Sequence, residues 1–248
     1  VRLWRSLIFV LALFAGIAPA RADQPLLADL SSHLIAITTG FVGTSVTLFG
    51  ATDGPGDIVA IVRGPERDVM VRQKRHLAGL WINALNVTFA SAPSYYAIYS
   101  NRPFGDIAPA NVAALHQMGI GNVRLDLRDP ATPADRTTTF RAALVADQRG
   151  QGVYAEYPQS VSFLGDRLFR ATISFPANVP IGTYLVEVLL VRNGNVVAGQ
   201  TTPLVVSEIG VNADLNDFAY RYAALYGIAA VAGAALLGWL SSLPFRDT

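Results

Sequence analysis

Hydrophobic and polar positions divide the chain into a β-rich body between two apolar ends. Leu34–Thr38 and Thr44–Ala51 are short runs rich in Ile, Val, Thr and Phe, punctuated by Gly40, Gly43, Gly50 and Gly54-Pro55-Gly56. Ile58–Val62 follows and stops at Gly64-Pro65; Val69–Val71, Leu80–Asn83, Asn86–Ala90 and Tyr95–Ser100 come next. Short apolar runs separated by Gly/Pro turns at this spacing predict an antiparallel sandwich. The pattern then becomes helical. Ala110–Met118 has apolar residues at helical spacing and stops at Gly119. Thr137–Arg149 offers a Thr run as N-cap and Gly150 as its stop, with Phe140 and Leu144 as i,i+4 neighbours. Val123–Leu127 between them reads as a strand.

The last third returns to β. Phe169, Ala171, Ile173 and Phe175 alternate with Arg170, Thr172 and Ser174, which predicts a half-buried strand. Tyr184–Arg192 is a long apolar strand. Asn193-Gly194 after it predicts a tight hairpin, because both residues tolerate positive φ. Asn195–Ala198 and Pro203–Ser207 complete the body. The expected fold is mainly β: an Ig-like antiparallel β-sandwich, in one or two bodies, with two short helices inserted. The β segments would cover 28–104 and 152–208, joined by a partly helical segment over 105–151.

The two ends change the picture from a globular domain to an exported, anchored one. At the front, Arg2 and Arg5 precede the apolar run Leu7–Ile17, and Ala20-Arg21-Ala22 fits a cleavage site. Residues 1–22 are therefore expected to be a signal peptide, cut after Ala22 or after Ala20. At the back, Tyr222–Phe245 carries no charge, and about 20 apolar residues suffice to cross a bilayer core of roughly 30 Å. Residues 218–245 are expected to form one transmembrane helix, with Tyr220, Tyr222 and Tyr226 at one interface and Trp239 and Phe245 at the other. The expected layout is single-pass in the inner membrane, with 23–217 as a periplasmic ectodomain and 246–248 as a cytoplasmic tail. Ala230, Ala234 and Gly238 recur every fourth residue, a stripe that would let a second helix approach closely.

Composition narrows the chemistry. A net charge of +1 implies no nucleic-acid partner, and the absence of cysteine removes disulfides and thiolate chemistry. His33, His76 and His116 are far apart in sequence and suggest no metal site. There is no G-x-S-x-G elbow. No catalytic residue, cofactor site or metal ligand is expected, and a non-enzymatic role is the first reading. An enzyme would need a site assembled only by folding. One constellation stands out. Arg72, Lys74, Arg75 and His76 are followed by Trp81, with Arg63 and Arg67 upstream. Such a run fits a charged edge strand that discourages aggregation. It also fits an anion- or headgroup-binding patch, or a docking surface for a partner.

Several stretches together point to a family: Phe41-Val42-Gly43-Thr44, Leu48-Phe49-Gly50-Ala51, Arg63-Gly64-Pro65, Val71-Arg72-Gln73-Lys74-Arg75, Gly79-Leu80-Trp81-Ile82-Asn83 and Ala92-Pro93-Ser94-Tyr95-Tyr96. Leu168-Phe169-Arg170-Ala171, Phe175-Pro176-Ala177, Val179-Pro180-Ile181-Gly182-Thr183-Tyr184 and Leu225-Tyr226-Gly227 extend the match. With these residues the chain resembles a family of transmembrane proteins of alphaproteobacteria. The resemblance implies an exported domain with a C-terminal membrane anchor and brings no catalytic residues. It also implies an accessory role beside an inner-membrane permease similar to sulfite or sulfonate exporters; self-association through the membrane helix is the other partner expected.

Overall fold

Leu168–Pro176 forms a strand whose Phe169, Ala171, Ile173 and Phe175 are buried while Leu168, Arg170, Thr172 and Ser174 face outward. That alternation lays one face of a sheet on a core, and it recurs through the chain. In chain order the strands are β1 (Leu26–Leu30), β2 (Leu34–Ile37), β3 (Gly43–Thr52), β4 (Asp57–Arg63), β5 (Glu66–Leu77), β6 (Leu80–Pro93) and β7 (Tyr96–Ser100). After them come α1 (Phe104–Ile107), α2 (Ala110–Leu115), a 3-10 turn (Ile120–Asn122), β8 (Asp126–Leu127) and α3 (Ala134–Gly150). β9 (Gln159–Ser160), β10 (Ser162–Leu164), β11 (Leu168–Pro176), β12 (Gly182–Arg192), β13 (Asn195–Glu208) and α4 (Ala223–Ser242) complete the order. The computed structural model describes residues 24–77, 80–129, 131–155, 159–209 and 223–242, and for 74–77, 80–84, 223–226 and 240–242 the backbone. The expected signal peptide and cytoplasmic tail, and residues 218–222 and 243–245 of the expected membrane segment, lie outside the described residues.

Three sheets organise the body. One is four-stranded, in the order β1-β3-β11-β10; a second is six-stranded, β2-β13-β12-β4-β7-β9; the third is β5-β6-β8. The two β segments of the sequence are therefore interleaved. β11 pairs with β3 over nine positions, from Leu168↔Ala51 to Pro176↔Gly43. β12 pairs with β4 from Leu185↔Arg63 to Val191↔Asp57. The first two sheets bury one face each in a common cluster: Leu48, Phe169 and Ile173 from one, Val186, Val188 and Leu204 from the other. Phe175 and Tyr184 meet edge-on across the gap, with ring centres 5.7 Å apart. On one flank Gln200 of β13 closes the gap to β1. Its Oε1 accepts the Ala28 N–H (2.9 Å) and its Nε2 donates to the Ala28 carbonyl (2.7 Å).

Buried tyrosines tie the layers by donating to backbone carbonyls. Tyr95 donates to Ser174 (2.8 Å), Tyr96 to Gln117 (2.7 Å), Tyr154 to Pro93 (2.7 Å) and Tyr184 to Pro180 (2.6 Å). A buried hydroxyl without a partner would cost free energy, so each ring fixes both its packing and its register. The bond from Tyr184 back to Pro180 closes the corner at which β12 begins. Gly182, in the same corner, has φ +136°, and a Cβ there would lie 2.8 Å from Pro65 Cγ. Glycine is thus needed both for the backbone angle and for the close approach of the β4–β5 junction.

Where the elements differ from the sequence reading, the reasons are local. The run at Val69–Val71 is part of the much longer β5, because cross-strand hydrogen bonding with β6 carries the ladder through Arg72–Leu77. Asn195–Ala198 and Pro203–Ser207 are one strand. Pro203 is tolerated within it because β2 joins β13 only from Val205 onward. The Thr run does not cap α3. The helix starts earlier, at Ala134, and the Thr137, Thr138 and Thr139 hydroxyls donate back to the carbonyls of Pro133, Ala134 and Asp135. α2 ends at Leu115, before the expected Met118, with Gln117 in the left-handed region (φ 53°). Of Val123–Leu127 only Asp126 and Leu127 pair as a strand. The Asn193-Gly194 hairpin turn is present, at φ 50° and 77°.

Candidate functional site

A hollow of about 980 Å³ lies at the end of the sheets where β4 and β13 begin. It is walled by the loop 53–56, the segment 102–109 and the turn at Asn193-Gly194. Two of its acids, Asp53 and Asp57, are each held by an arginine. Arg102 grips Asp57 with Nε and Nη2, and Asn101 Nδ2 adds a third bond to Asp57 Oδ1 (2.9 Å). Arg192 donates from Nε to the Pro55 carbonyl (2.8 Å) and from Nη2 to Asp53. The hydrogen bond from Arg102 holds the Asp57 carboxyl below the usual carboxylate range, and that from Arg192 does the same for Asp53. A general acid or base works best with a pKa near the operating pH. These carboxyls are displaced the other way, and the arrangement serves to hold three loops together. Among the described residues no group of three or more His, Cys, Asp or Glu is placed to hold a metal ion.

Folding disperses the cationic cluster of the sequence. Arg63 ends β4 in the six-stranded sheet, where its Nη2 donates to Glu187 Oε2 (2.7 Å) and to the His116 carbonyl (3.2 Å). It is half-buried and fixes the helical segment to the sheet, so it leaves the patch. Arg67 is exposed near the root of β5, and Arg72 is exposed farther along it, with Nε 3.3 Å from Met70 Sδ. Lys74, Arg75 and His76 continue β5, and Trp81 lies on β6 opposite His76; the side chains of these four lie outside the described residues. Neither Glu187 nor the tyrosine ties could be singled out from spacing. The only signal for the latter is the number of tyrosines, nine, in a cysteine-free chain.

β5 and β6 form a ribbon set apart from the two main sheets. β8 pairs with it only at Phe89 and Ala90, and Arg128 of the adjoining segment reaches Asp68. From Arg72↔Asn86 outward to Leu77↔Leu80, each strand pairs only with the other among the described residues.

α4 is the other feature with a mostly exposed surface among the described residues. Ile228, Val231, Leu236, Leu237 and Trp239 are between 58% and 71% exposed. Ala230, Ala234 and Gly238 fall on the same helix. An apolar helix that is exposed all round requires cover from outside the fold. The side chains described on it run from 227 to 239, about 20 Å at ~1.5 Å per residue. Among the described residues no helix is long and apolar enough to cross a membrane. The helix as a whole has 20 residues, none of them charged, and would extend about 30 Å.

A family model described as "Putative transmembrane protein (Alph_Pro_TM)" matches residues 25–247. The chain belongs to this family. The matched span takes in both main sheets, the ribbon and α4. No curated protein matches the chain.

Proposed function

We infer that this protein is a non-catalytic accessory or interaction protein, held at the outer face of the inner membrane by α4. The observation that carries this reading is the exposed, uncharged surface of α4, which a lipid environment would cover. The family description agrees with it.

An Ig-like β-sandwich is the reading that best fits the body. With β1, β3, β11 and β10 taken as strands A, B, E and D, the four-stranded sheet has the order A-B-E-D. With β13, β12, β4 and β7 as G, F, C and C′, the larger sheet has the order G-F-C-C′. Tyr184 at the start of the F position, bonded four residues upstream, has the form of a tyrosine corner. Val186, two residues on, is fully buried where such domains often carry a cysteine. Ig-like domains act mainly through binding, and the paired charges of the end hollow support that role over catalysis. The helix stripe of Ala230, Ala234 and Gly238 is the face offered to a partner helix, of an inner-membrane permease or a second copy.

Topology is the direct test. Alkaline phosphatase and a cytoplasm-active reporter are each fused, one at a time, after Asp217 and after Thr248. Phosphatase activity only at Asp217 is the expected result. Phosphatase activity at Thr248, or none at either junction, would refute an exported body with a single membrane crossing.

A further inference from the structure

We propose that the β5–β6 ribbon is a second membrane contact, which docks through Arg72, Lys74 and Arg75 onto anionic lipid headgroups of the bilayer that holds α4. The proposal rests on the anchored reading above. Its geometry comes from strand direction. β4 and β13 are both antiparallel to β12, so both run toward the same end of the sheet, where Arg63 pairs with Leu185 and Val206 with Gly182. β13 leaves the body there and leads to α4. The ribbon leaves there too. Its ladder continues that of β4 and β7 from Arg63↔Tyr96, through the bonds Gly64 N–H to Tyr95 O (2.8 Å) and Ser94 N–H to Pro65 O (3.0 Å), to Glu66↔Pro93. The loop hollow with its paired charges is at the opposite end. A straight 12-residue strand extends about 40 Å, and β5 falls short of that because its ladder shifts register between Arg67 and Val69 and between Gln73 and Lys74. Residues 209–222 span at most about 50 Å, so the anchor and the ribbon have comparable reach from one end of the body.

The chemistry of the ribbon fits a lipid surface. Between Asp68 and Asp106 the sequence has no acidic residue, while Arg72, Lys74 and Arg75 supply three cations. Beyond the cations the register pairs His76 with Trp81 and Leu77 with Leu80. Cations nearer the body and an aromatic-aliphatic tip follow the order in which a bilayer presents phosphates and then acyl chains. A charged edge that merely resisted aggregation would not require Leu and Trp at its end.

The chain has no cysteine, so single-cysteine variants can be labelled without background. The full chain carrying Asn83→Cys, or Asn195→Cys at the opposite end of the body, is labelled with a fluorophore. It is then reconstituted into vesicles containing headgroup-spin-labelled lipid. Quenching at position 83, well above that at 195, is expected in vesicles containing phosphatidylglycerol. It should fall sharply in purely phosphatidylcholine vesicles and on addition of salt. Arg72→Gln, Lys74→Gln and Arg75→Gln together should weaken the contact by roughly a hundredfold, at about fivefold per cation. If that variant does not keep the parent's melting temperature, the salt and lipid series decide alone. Equal quenching at 83 and 195 in phosphatidylglycerol vesicles would overturn the proposal, as it would if the ribbon instead meets a protein partner. Quenching at 83 that ignores lipid charge and salt would also overturn it. Flotation of the unlabelled chain with phosphatidylcholine vesicles separates the two readings. Failure to float refutes the anchor, whereas flotation without quenching at 83 refutes the ribbon contact alone.

Discussion

The sheet pair and the β5–β6 ribbon use the same kind of hydrogen-bonded ladder, yet only one of them is enclosed. In the sheet pair every core strand has neighbours on its flanks and a buried face, and tyrosine hydroxyls tie it to the next layer. The ribbon is braced at its root, by β8 and by burial of Val87 and Phe89, and continues outward as two strands alone. A two-stranded ribbon has little independent stability in water. Its length is therefore better explained by a surface it must reach than by the stability of the body. The difference teaches that stability and contact are assigned to separate parts of one chain, so changes to each should be separable.

The largest effect is expected for a large ring sealed in the core. Phe169, near the start of β11, is 1% exposed. Phe169→Ala should cost about 3–5 kcal/mol, measured by urea unfolding, because the cavity left behind is walled by strands that cannot collapse into it. A cost below about 1 kcal/mol would mean that the two sheets do not share a tight core.

Next is an alkaline transition. Burial pushes the Tyr99 and Tyr154 hydroxyls up to about 12 from an ordinary 10. It shifts Tyr96 and Tyr184 in the same direction. A folded-state pKa above the unfolded one gives stability that is complete below pH 10 and lost as pH rises through the folded value. Tyr99 and Tyr154 should each give up roughly 2–3 kcal/mol across pH 10 to 12. Unfolding midpoints recorded over this range should fall steeply in the parent and less steeply in Tyr154→Phe.

Removing a single tie is milder. Tyr184→Phe keeps the ring and loses the bond to Pro180, for an expected cost of about 1 kcal/mol. The smallest effect belongs to the ribbon. Replacing residues 74–84 with Asn-Gly joins Gln73 to Leu85, which are already register partners. It should change stability by less than about 0.5 kcal/mol, measured by urea unfolding. A large loss of stability would show that the outer ribbon supports the body.

The alternating run Phe169–Phe175 could be read directly, because a strand with one wet face must repeat every second residue. The Asn193-Gly194 turn could be read because few residues accept its backbone angles. The β5–β6 ribbon could be read only in pieces, as the runs Val69–Val71, Leu80–Asn83 and Asn86–Ala90. The polar run Arg72–His76 joins these pieces through cross-strand pairing with β6, and no hydrophobic period marks it. β1 was missed, since five residues with a single flanking proline give little pattern.

The mainly β class, the uncharged C-terminal stretch, the lack of thiol chemistry and the acid-free run around Arg72–Arg75 follow from residue type and local order alone. Folding interleaves the two β segments and gives Arg63 to Glu187 and not to the cationic run. It also decided that Asp53 and Asp57 are held by arginines, and that the ribbon and the strand leading to α4 leave the same end of the body. Each of these depends on which strands lie side by side. Pairing between residues more than a hundred positions apart is set by the fit of whole faces, which no local stretch of sequence records.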